Sequence, residues 1–535
     1  MADKTLVERL EKLIDIGIAL STETDTQRLL EMILKCAMAI TNADGGTLYS
    51  IEKKAVKMEI MITKSLNFAM GGTTGNHIPF HPISLYTTSG KPNKRNVVTC
   101  AVLNQQTVNI ADAYNVEGFD FSGTYNFDRK TGYRSTSLLT VPMKNHEGDI
   151  IGALQLLNAL DRHDNIIAFD QIAQRLTEAL ASQAAIALTQ KQLIDGLKQL
   201  FESLIHLIAD AIDQKSPYTG GHCRRVPELT MMLAEAAHNT ENGPLKDFRM
   251  TDKDRYELKI AGWLHDCGKI TTPEYVVDKA TKLETIYDRI HTTDTRFEVL
   301  KRDAEIAFLK AKLAAQAQNG ATFDGSALER QFQQRLEHIA NDQAFLHRCN
   351  IGGEFMSECD QKRVSDIGQQ TWHFKGKECN FLSNDEIYNL NIPKGTLTAE
   401  EREVINHHII ATIKMLESLP FPKHLKHVPE YAGGHHERMD GKGYPNGLTK
   451  EQMPVQARIM AIADIYEALT AKDRPYKSGK MLSESLAIMS HMSKTGHIDP
   501  DLFEIFLKKN VYLEYANKFL DGAQIDTPKM EELLS

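Results

Sequence analysis

Between about residues 166 and 212 the chain contains a single strong helix breaker, Gly196. Within that stretch Leu193, Leu197, Leu200, Leu204, Leu207 and Ala211 alternate in steps of four and three, the spacing of a heptad seam. A helix of that length leaves one domain and enters another, so the chain on either side of it folds separately. The seam admits two uses. It can pack onto its own domain, or it can form a parallel dimer contact that carries strain between domains, and the dimer is the expectation. A length of 535 residues independently calls for two to four cores.

Composition narrows the class. With 42% hydrophobic and 25% charged residues the chain is neither disordered nor fibrous. A net charge of -9 argues against a broad basic surface, so no nucleic-acid polymer is expected as partner. Seven cysteines without a CxxC indicate neither a disulfide framework nor a thiolate zinc site. The start "MADKTLVERLEKL" lacks the parts of a signal peptide, and no apolar run nears the roughly 20 residues that span a bilayer. A cytoplasmic protein without membrane contact is expected.

Residues 1–165 mix an early amphipathic helix with strand-like runs, "TVNI", "TSLLTVPM" and "DIIGALQLL", the last two joined by the turn-rich "KNHEGD". The segments "FDFSGTYNFDRKTGYRSTSLLTVPM" and "GALQLLNALD" resemble the GAF family of small-molecule sensor domains. The resemblance implies an α/β domain that either senses a small ligand or serves as a dimerising scaffold. The triplet Asn126, Phe127, Asp128 is only loosely like the family's signature.

Downstream, the pattern is helical. "FEVLKRDAEIAFLKAKLAAQAQ" and "ALERQFQQRLEHIANDQAFL", separated by "NGATFDGS", read as an antiparallel helix pair. Neither carries metal-ligand spacing, so the default is a structural or interaction hairpin, with a protein partner as one use.

Titratable residues recur on apolar helices around this pair. "GGHCRRV" holds His222, "AGWLHDCGK" holds His265, Asp266 and Lys269, and "INHHII" holds His407 and His408. "GGHHERMDGKGYP" holds His435, His436 and Asp440, and "ADIYEALTAKDRPYK" holds Asp464. Buried charges are costly unless paired, and a mixture of imidazoles and carboxylates without thiolates suits Mn, Fe, Ni or Zn.

On those motifs the chain resembles the HD-GYP family of bacterial metal-dependent phosphodiesterases, over about 213–520. The resemblance implies hydrolysis of cyclic di-GMP to linear pGpG, with further cleavage to GMP or a preference for cyclic GMP-AMP in some members. It implies two divalent ions, Fe or Mn before Ni or Zn. His222, His265, Asp266 and Asp464 would hold one, and Asp266 would bridge to a second held by His408, His435 and His436. Such a pair lowers the pKa of a shared water and neutralises charge on phosphoryl oxygens. Lys269 would lie beside the attacked phosphate. The loop Gly443, Tyr444, Pro445, a tight turn by composition with glycine supplying the sharp bend, would shape the site. Arg474 and Lys477 would contact substrate phosphates. A solvated charged turn is the plainer alternative for that last pair.

Tyr218 stands where members with a third metal carry glutamate, which favours two ions. A larger departure is an insertion of about a hundred residues after "HDCGK". It leaves His291 at nearly the family's distance and His408 far downstream. "KGTLTAEEREVINHHII" matches the ligand-bearing helix, and His408 shares a helical face with Val404, Ile405, Ala411, Met415 and Leu416 while His407 sits nearer Glu403 and Lys414. His408 is therefore the expected ligand.

The expected architecture is multidomain: an α/β GAF domain (1–165), a signalling and dimerisation helix (166–212), and an all-α HD-GYP domain (213–535) with an inserted helical hairpin (about 295–390). The expected protein is a homodimeric cyclic-dinucleotide phosphodiesterase. The alternatives are a cyclic GMP-AMP-specific enzyme, a silent cyclic-dinucleotide-binding module, and a hydrolase of other nucleotides.

Overall fold

The computed structural model describes residues 11, 13–20, 22–23, 25–215, 221–319, 324–353, 355–472 and 479–534. The chain forms two compact units, Met1–Phe201 and Glu202–Ser535. Among the described residues no helix is long and apolar enough to cross a membrane.

In the first unit the strands are β1 (Ala43–Glu52), β2 (Ala55–Thr63), β3 (Phe68–Gly71), β4 (Ile83–Ser84), β5 (Val108–Ile110), β6 (Leu138–Lys144), β7 (Ile150–Leu160) and β8 (Ile166–Ile167). They form one sheet in the order β3-β2-β1-β7-β6-β5, with β4 added to β2 and β8 to β7. The β6–β7 hairpin follows from its turn. The Asn145 side chain accepts from the backbone N–H groups of Glu147 and Asp149 at 3.0 and 2.8 Å, and Gly148 supplies a left-handed φ of 92°. One face of the sheet buries Leu139, Val141, Leu154 and Leu156 against Leu30, Ile33 and Leu34 of helix Thr26–Thr41 and Leu176 and Leu180 of helix Gln171–Lys215. Asp25 caps the first of these helices through Arg28 N at 2.8 Å.

Helix Gln171–Lys215 starts later than the expected position near 166. Ile166 and Ile167 instead pair with Leu160 and Ala159 on β7, and the Asp170 carboxylate caps the helix at Ala173 N, 2.6 Å. The seam faces outward: Leu193, Leu197, Leu200, Leu204 and Leu207 are between 48% and 65% exposed. The inward residues near the helix end are Ile205, Ala209 and Ile212.

The second unit is helical, with His222–His238, Asp252–Leu264, Ala399–Glu417, Val428–Gly433 and Val455–Thr470 around the titratable residues. Capping boxes start two of them, Thr251 with Asp254 and Thr398 with Glu401. Between them lies a lobe with a core of its own. Helices Ile290–Asn319 and Ser326–Asn350 run antiparallel, as contacts at falling and rising positions show: Asp294 with His347 at 2.7 Å, Lys301 with Gln343 at 3.1 Å, and Phe308 stacked on Phe332 at 4.8 Å. Beyond the hairpin the lobe adds helix Glu358–Gly368, the antiparallel strands β9 (Thr371–Phe374) and β10 (Lys377–Asn380), and helix Asn384–Leu390. Phe297, Leu300, Phe345, Leu346, Val364, Phe381 and Leu390 are buried together there. A hairpin alone has no such core, and the extra elements supply its second side.

Candidate metal centre

Four histidines converge from separate helices and helix ends, each held at Nδ1 by an acceptor behind the ring. Nδ1 of His265, His408 and His435 contacts the carbonyl three residues back, Gly262 at 2.7 Å, Ile405 at 2.5 Å and Ala432 at 2.6 Å. Carbonyls only accept, so each Nδ1 carries the proton and each Nε2 presents a lone pair. In His222 the partner of Nδ1 is the Glu467 carboxylate, at 2.5 Å. Arg225 holds that carboxylate from the other side at 2.7 Å.

The four Nε2 atoms and Asp266 Oδ1 are buried and make no hydrogen bond among the described residues. They nevertheless face carboxylates. His222 Nε2 lies 3.2 Å from Asp266 Oδ2 and 3.3 Å from Asp464 Oδ1, His265 Nε2 lies 3.3 Å from Asp266 Oδ2, and His408 Nε2 lies 3.3 Å from Asp266 Oδ1. Two groups have donor atoms within 4.8 Å of one another: His222, His265 and Asp266, and His408, His435 and His436. Asp266 touches both through its two oxygens. Buried acceptors facing acceptors are unstable without a shared cation, so the donor set fits divalent metal ions. Asp464 joins the first group by its contact with His222.

Electrostatics agree. Burial, with His436 and His265 beside it, holds His435 well below the usual imidazole range, and burial lowers His436 to about 4. Both are neutral ligands at pH 7. Burial pushes Asp266 up, but Lys269 and His265 outweigh it and hold the carboxyl well below its ordinary range. Asp464 is likewise lowered, burial being outweighed by His222. Burial opposes charge on His222 too, yet Glu467, Asp266 and Asp464 raise it well above the usual value. The carboxylates call for positive charge at this point, which a proton or a metal ion can supply.

The HD turn explains its own glycine. A Cβ on Gly268 would sit 2.0 Å from the His408 carbonyl oxygen and 2.6 Å from Thr412 N. Gly268 N instead donates to Thr412 Oγ1 at 2.9 Å. The absence of a side chain therefore lets the His265 and Asp266 segment lie directly on the helix that carries His408. Lys269 Nζ reaches Asp266 Oδ2 at 2.5 Å.

The three competing histidines separate cleanly. His408 is buried and His407 exposed, while the His291 side chain is 76% exposed and borders an open cavity of about 860 Å³ on the lobe, with Trp372 and Phe374. The inward face differs from the expected one: it holds His408, Ile409, Thr412 and Leu416, whereas Val404 and Met415 are exposed. The expected face was drawn one position off because both faces of this helix are apolar. A second correction concerns Gly443. Its φ is not positive; Gly441 and Gly447 make the left-handed bends. Gly443 is needed for space, since a Cβ there would lie 2.4 Å from Arg438 N. Tyr444 stacks on His436 at 4.9 Å, Pro445 follows it, and Arg474, Lys477 and Tyr218 lie outside the described residues.

Two glutamates escaped the sequence reading. Glu437, buried, accepts from Asn446 N at 2.7 Å and Leu448 N at 2.9 Å and so holds the loop over the site. Glu467 orients His222. It stands three residues after Asp464, and two acids at that spacing on an apolar helix were the signal available.

Known proteins match in pieces that agree with these units. Residues 25–188 match the model of the GAF domain, and 219–334 and 384–502 match two models of the HD domain. The chain thus carries a GAF domain followed by an HD-domain region. It is 42% identical over 83 residues to the 3'3'-cGAMP-specific phosphodiesterase 1 of Vibrio cholerae, covering 16% of this chain and 19% of that one. To a cyclic di-GMP phosphodiesterase of Pseudomonas aeruginosa it is 47% identical over 74 residues, covering 14% and 17%. To a probable cyclic di-GMP phosphodiesterase of Vibrio cholerae it is 34% identical over 146 residues, covering 26% and 33%. The matches span a third or less of these relatives' length.

Proposed function

We propose that this chain is an HD-GYP-type phosphodiesterase that linearises a cyclic dinucleotide, cyclic di-GMP before cyclic GMP-AMP, under control of its GAF domain. The observation that carries the reading is the buried set of unpaired ring nitrogens and carboxylate oxygen, four Nε2 atoms and Asp266 Oδ1, turned on one another. His222, His265, Asp266 and Asp464 would hold one ion, and Asp266, His408, His435 and His436 a second, with iron or manganese the expected metals. Bound there, the ions supply Lewis acidity toward a phosphoryl group.

This chain's own residues do the rest. Lys269, whose ammonium is kept charged by Asp266 and Asp464 against the pull of burial, offers a donor to the attacked phosphate. Tyr444, stacked on His436, walls the cavity beside the site. Hydrolysis adds one water across one of the two phosphodiester links, freeing a 3'-hydroxyl and leaving a 5'-phosphate on linear pGpG. The cyclic GMP-AMP reading is favoured by the name of the Vibrio cholerae relative.

Two further features support regulation. The GAF unit encloses a cavity of about 250 Å³ bordered by Tyr49, Phe121, Phe127 and Gln155, large enough for a small ligand. The exposed leucine seam fits a second copy of the same helix. Charged residues at Leu200 and Leu204 are expected to yield a monomer by light scattering, and a stable dimer would leave the seam without that role. The deciding experiment incubates manganese- or iron-loaded protein with cyclic di-GMP and cyclic GMP-AMP and resolves the products. Turnover of neither would replace the enzyme by a binding module.

A further inference from the structure

A cavity of about 1040 Å³ is lined by His435, His436 and Asp464 of the metal centre together with His491 and Met492. Among the described residues three long cations line it: Arg438, Lys442 and Lys394. Two are already engaged. Arg438 makes a fork with Asp440 at 3.1 and 2.8 Å, and Lys442 lies 3.9 Å from the same carboxylate. Lys394 is exposed and, among the described residues, has no carboxylate within ion-pair distance.

Its backbone, by contrast, is fixed from both sides, and by the inserted lobe. The Pro393 carbonyl accepts from Met356 N at 2.9 Å, and Gly395 N donates to the Gly353 carbonyl at 3.1 Å. One residue earlier, the buried Lys282 ammonium donates to the Ile392 carbonyl at 2.7 Å, and one residue later Thr396 Oγ1 donates to the Lys279 carbonyl at 2.9 Å. Lys279 in turn pairs with Glu401 at 2.7 Å and Asn389 at 3.0 Å. A loop residue whose two neighbours on each side are tied down, at Ile392, Pro393, Gly395 and Thr396, with its own charged tip exposed, is presented rather than incidental.

We infer that Lys394 is a contact for the second phosphate of a cyclic dinucleotide, in addition to any made by Arg474 and Lys477, and that the inserted lobe serves the site by holding this lysine in the cavity wall. The inference rests on the phosphodiesterase reading. A ring with two phosphodiesters places one at the metal centre, and its other negative charge needs a cation in the same cavity. Lysine suits that role as a mobile point charge. A substrate with one phosphodiester has nothing for Lys394 to hold.

The test uses the full chain with its metals and two probes. Equilibrium binding of an uncleavable phosphorothioate analogue of cyclic di-GMP should weaken about fivefold in Lys394→Ala, the upper end for an exposed ion pair. It should recover in Lys394→Arg, and the gap should close at high salt. Hydrolysis of bis(p-nitrophenyl) phosphate, with its single phosphodiester, should stay within about twofold of wild type, clearly less than the loss expected with the analogue. Unchanged analogue binding in Lys394→Ala overturns the inference. Equal loss with both probes also overturns it, since the lysine would then act through the metal centre or the fold. Failure of the wild type to hydrolyse both cyclic di-GMP and bis(p-nitrophenyl) phosphate would sink the phosphodiesterase reading, while the binding arm would still decide Lys394.

Discussion

The two units treat buried polar groups in opposite ways. Among the described residues of the GAF unit, the buried acids and amides Asp44, Asp128, Gln155 and Asn158 all have hydrogen-bond partners within the unit. Asp128 accepts from Tyr114 Oη at 2.7 Å, Ser135 N at 2.8 Å and Ser135 Oγ at 2.9 Å. Asn158 accepts from Thr136 N at 2.8 Å and donates to the Arg134 carbonyl at 2.8 Å. In the helical unit the histidines are oriented just as firmly from behind, yet their inner atoms meet only other acceptors. A closed network stabilises a fold. An open one, held rigid and unpaired, is a site awaiting a cation.

The comparison breaks most visibly at Asp266. Asp266→Ala should remove both ions and lower turnover on the order of a thousandfold or more, as loss of several kcal/mol of metal stabilisation requires. Elemental analysis with circular dichroism checks it, the helical signal staying near wild type. Turnover at wild-type level would end the dinuclear reading.

Glu467→Gln should have a smaller effect, weakening metal binding roughly ten- to a hundredfold as outer-shell changes do, measured by competition with a chelator. It also gives a pH signature. Burial raises the Glu467 carboxyl, but His222 and Arg225 outweigh it and hold it at about 2, below the ordinary glutamate value. A depressed carboxylate contributes stability that is present above its unfolded pKa and is lost as pH falls through its folded one. Wild type should therefore exceed the variant in thermal stability at neutral pH, and the two should converge between about 4.5 and about 2. Parallel curves over that window would show that Glu467 does not stabilise the unit by its charge.

Asp128→Ala sharpens the other side of the comparison. It leaves three donors without an acceptor and should cost the GAF unit about 2 kcal/mol, read by thermal denaturation, with metal content unchanged. Loss of metal in that variant would show that the network of the first unit is not self-contained.

Much of this was legible beforehand because it is written in local spacing. The turn residues "NHEGD" announce the β6–β7 hairpin, and the four-and-three leucine steps announce the long helix. The motifs around His265, His408 and His435 name the residue types a metal needs. His408 could be preferred to His291 by its helix alone, although its face was misjudged at Val404 and Met415, which a two-sided apolar helix leaves ambiguous.

Other features depended on chain segments far apart in sequence, and no local pattern records those. Gly268 matters because a helix some 140 residues later presses on it, as its hydrogen bond to Thr412 shows. Glu467 matters because it stands behind His222 across a separation of 245 residues. The lobe core joins Phe297 to Phe381 at 4.5 Å, and the same lobe brings Gly353 and Met356 to the backbone around Lys394. Residue type and short-range spacing were enough to place the long helix, the β6–β7 hairpin and the side chains able to bind metal, but not strands β9 and β10 of the lobe or the strand Ile166–Ile167, whose pairing depends on partners elsewhere. Which imidazole nitrogens face one another, which glycines are there for space, and which cavity lysine has no carboxylate partner among the described residues depend on distances between segments that folding alone brings together.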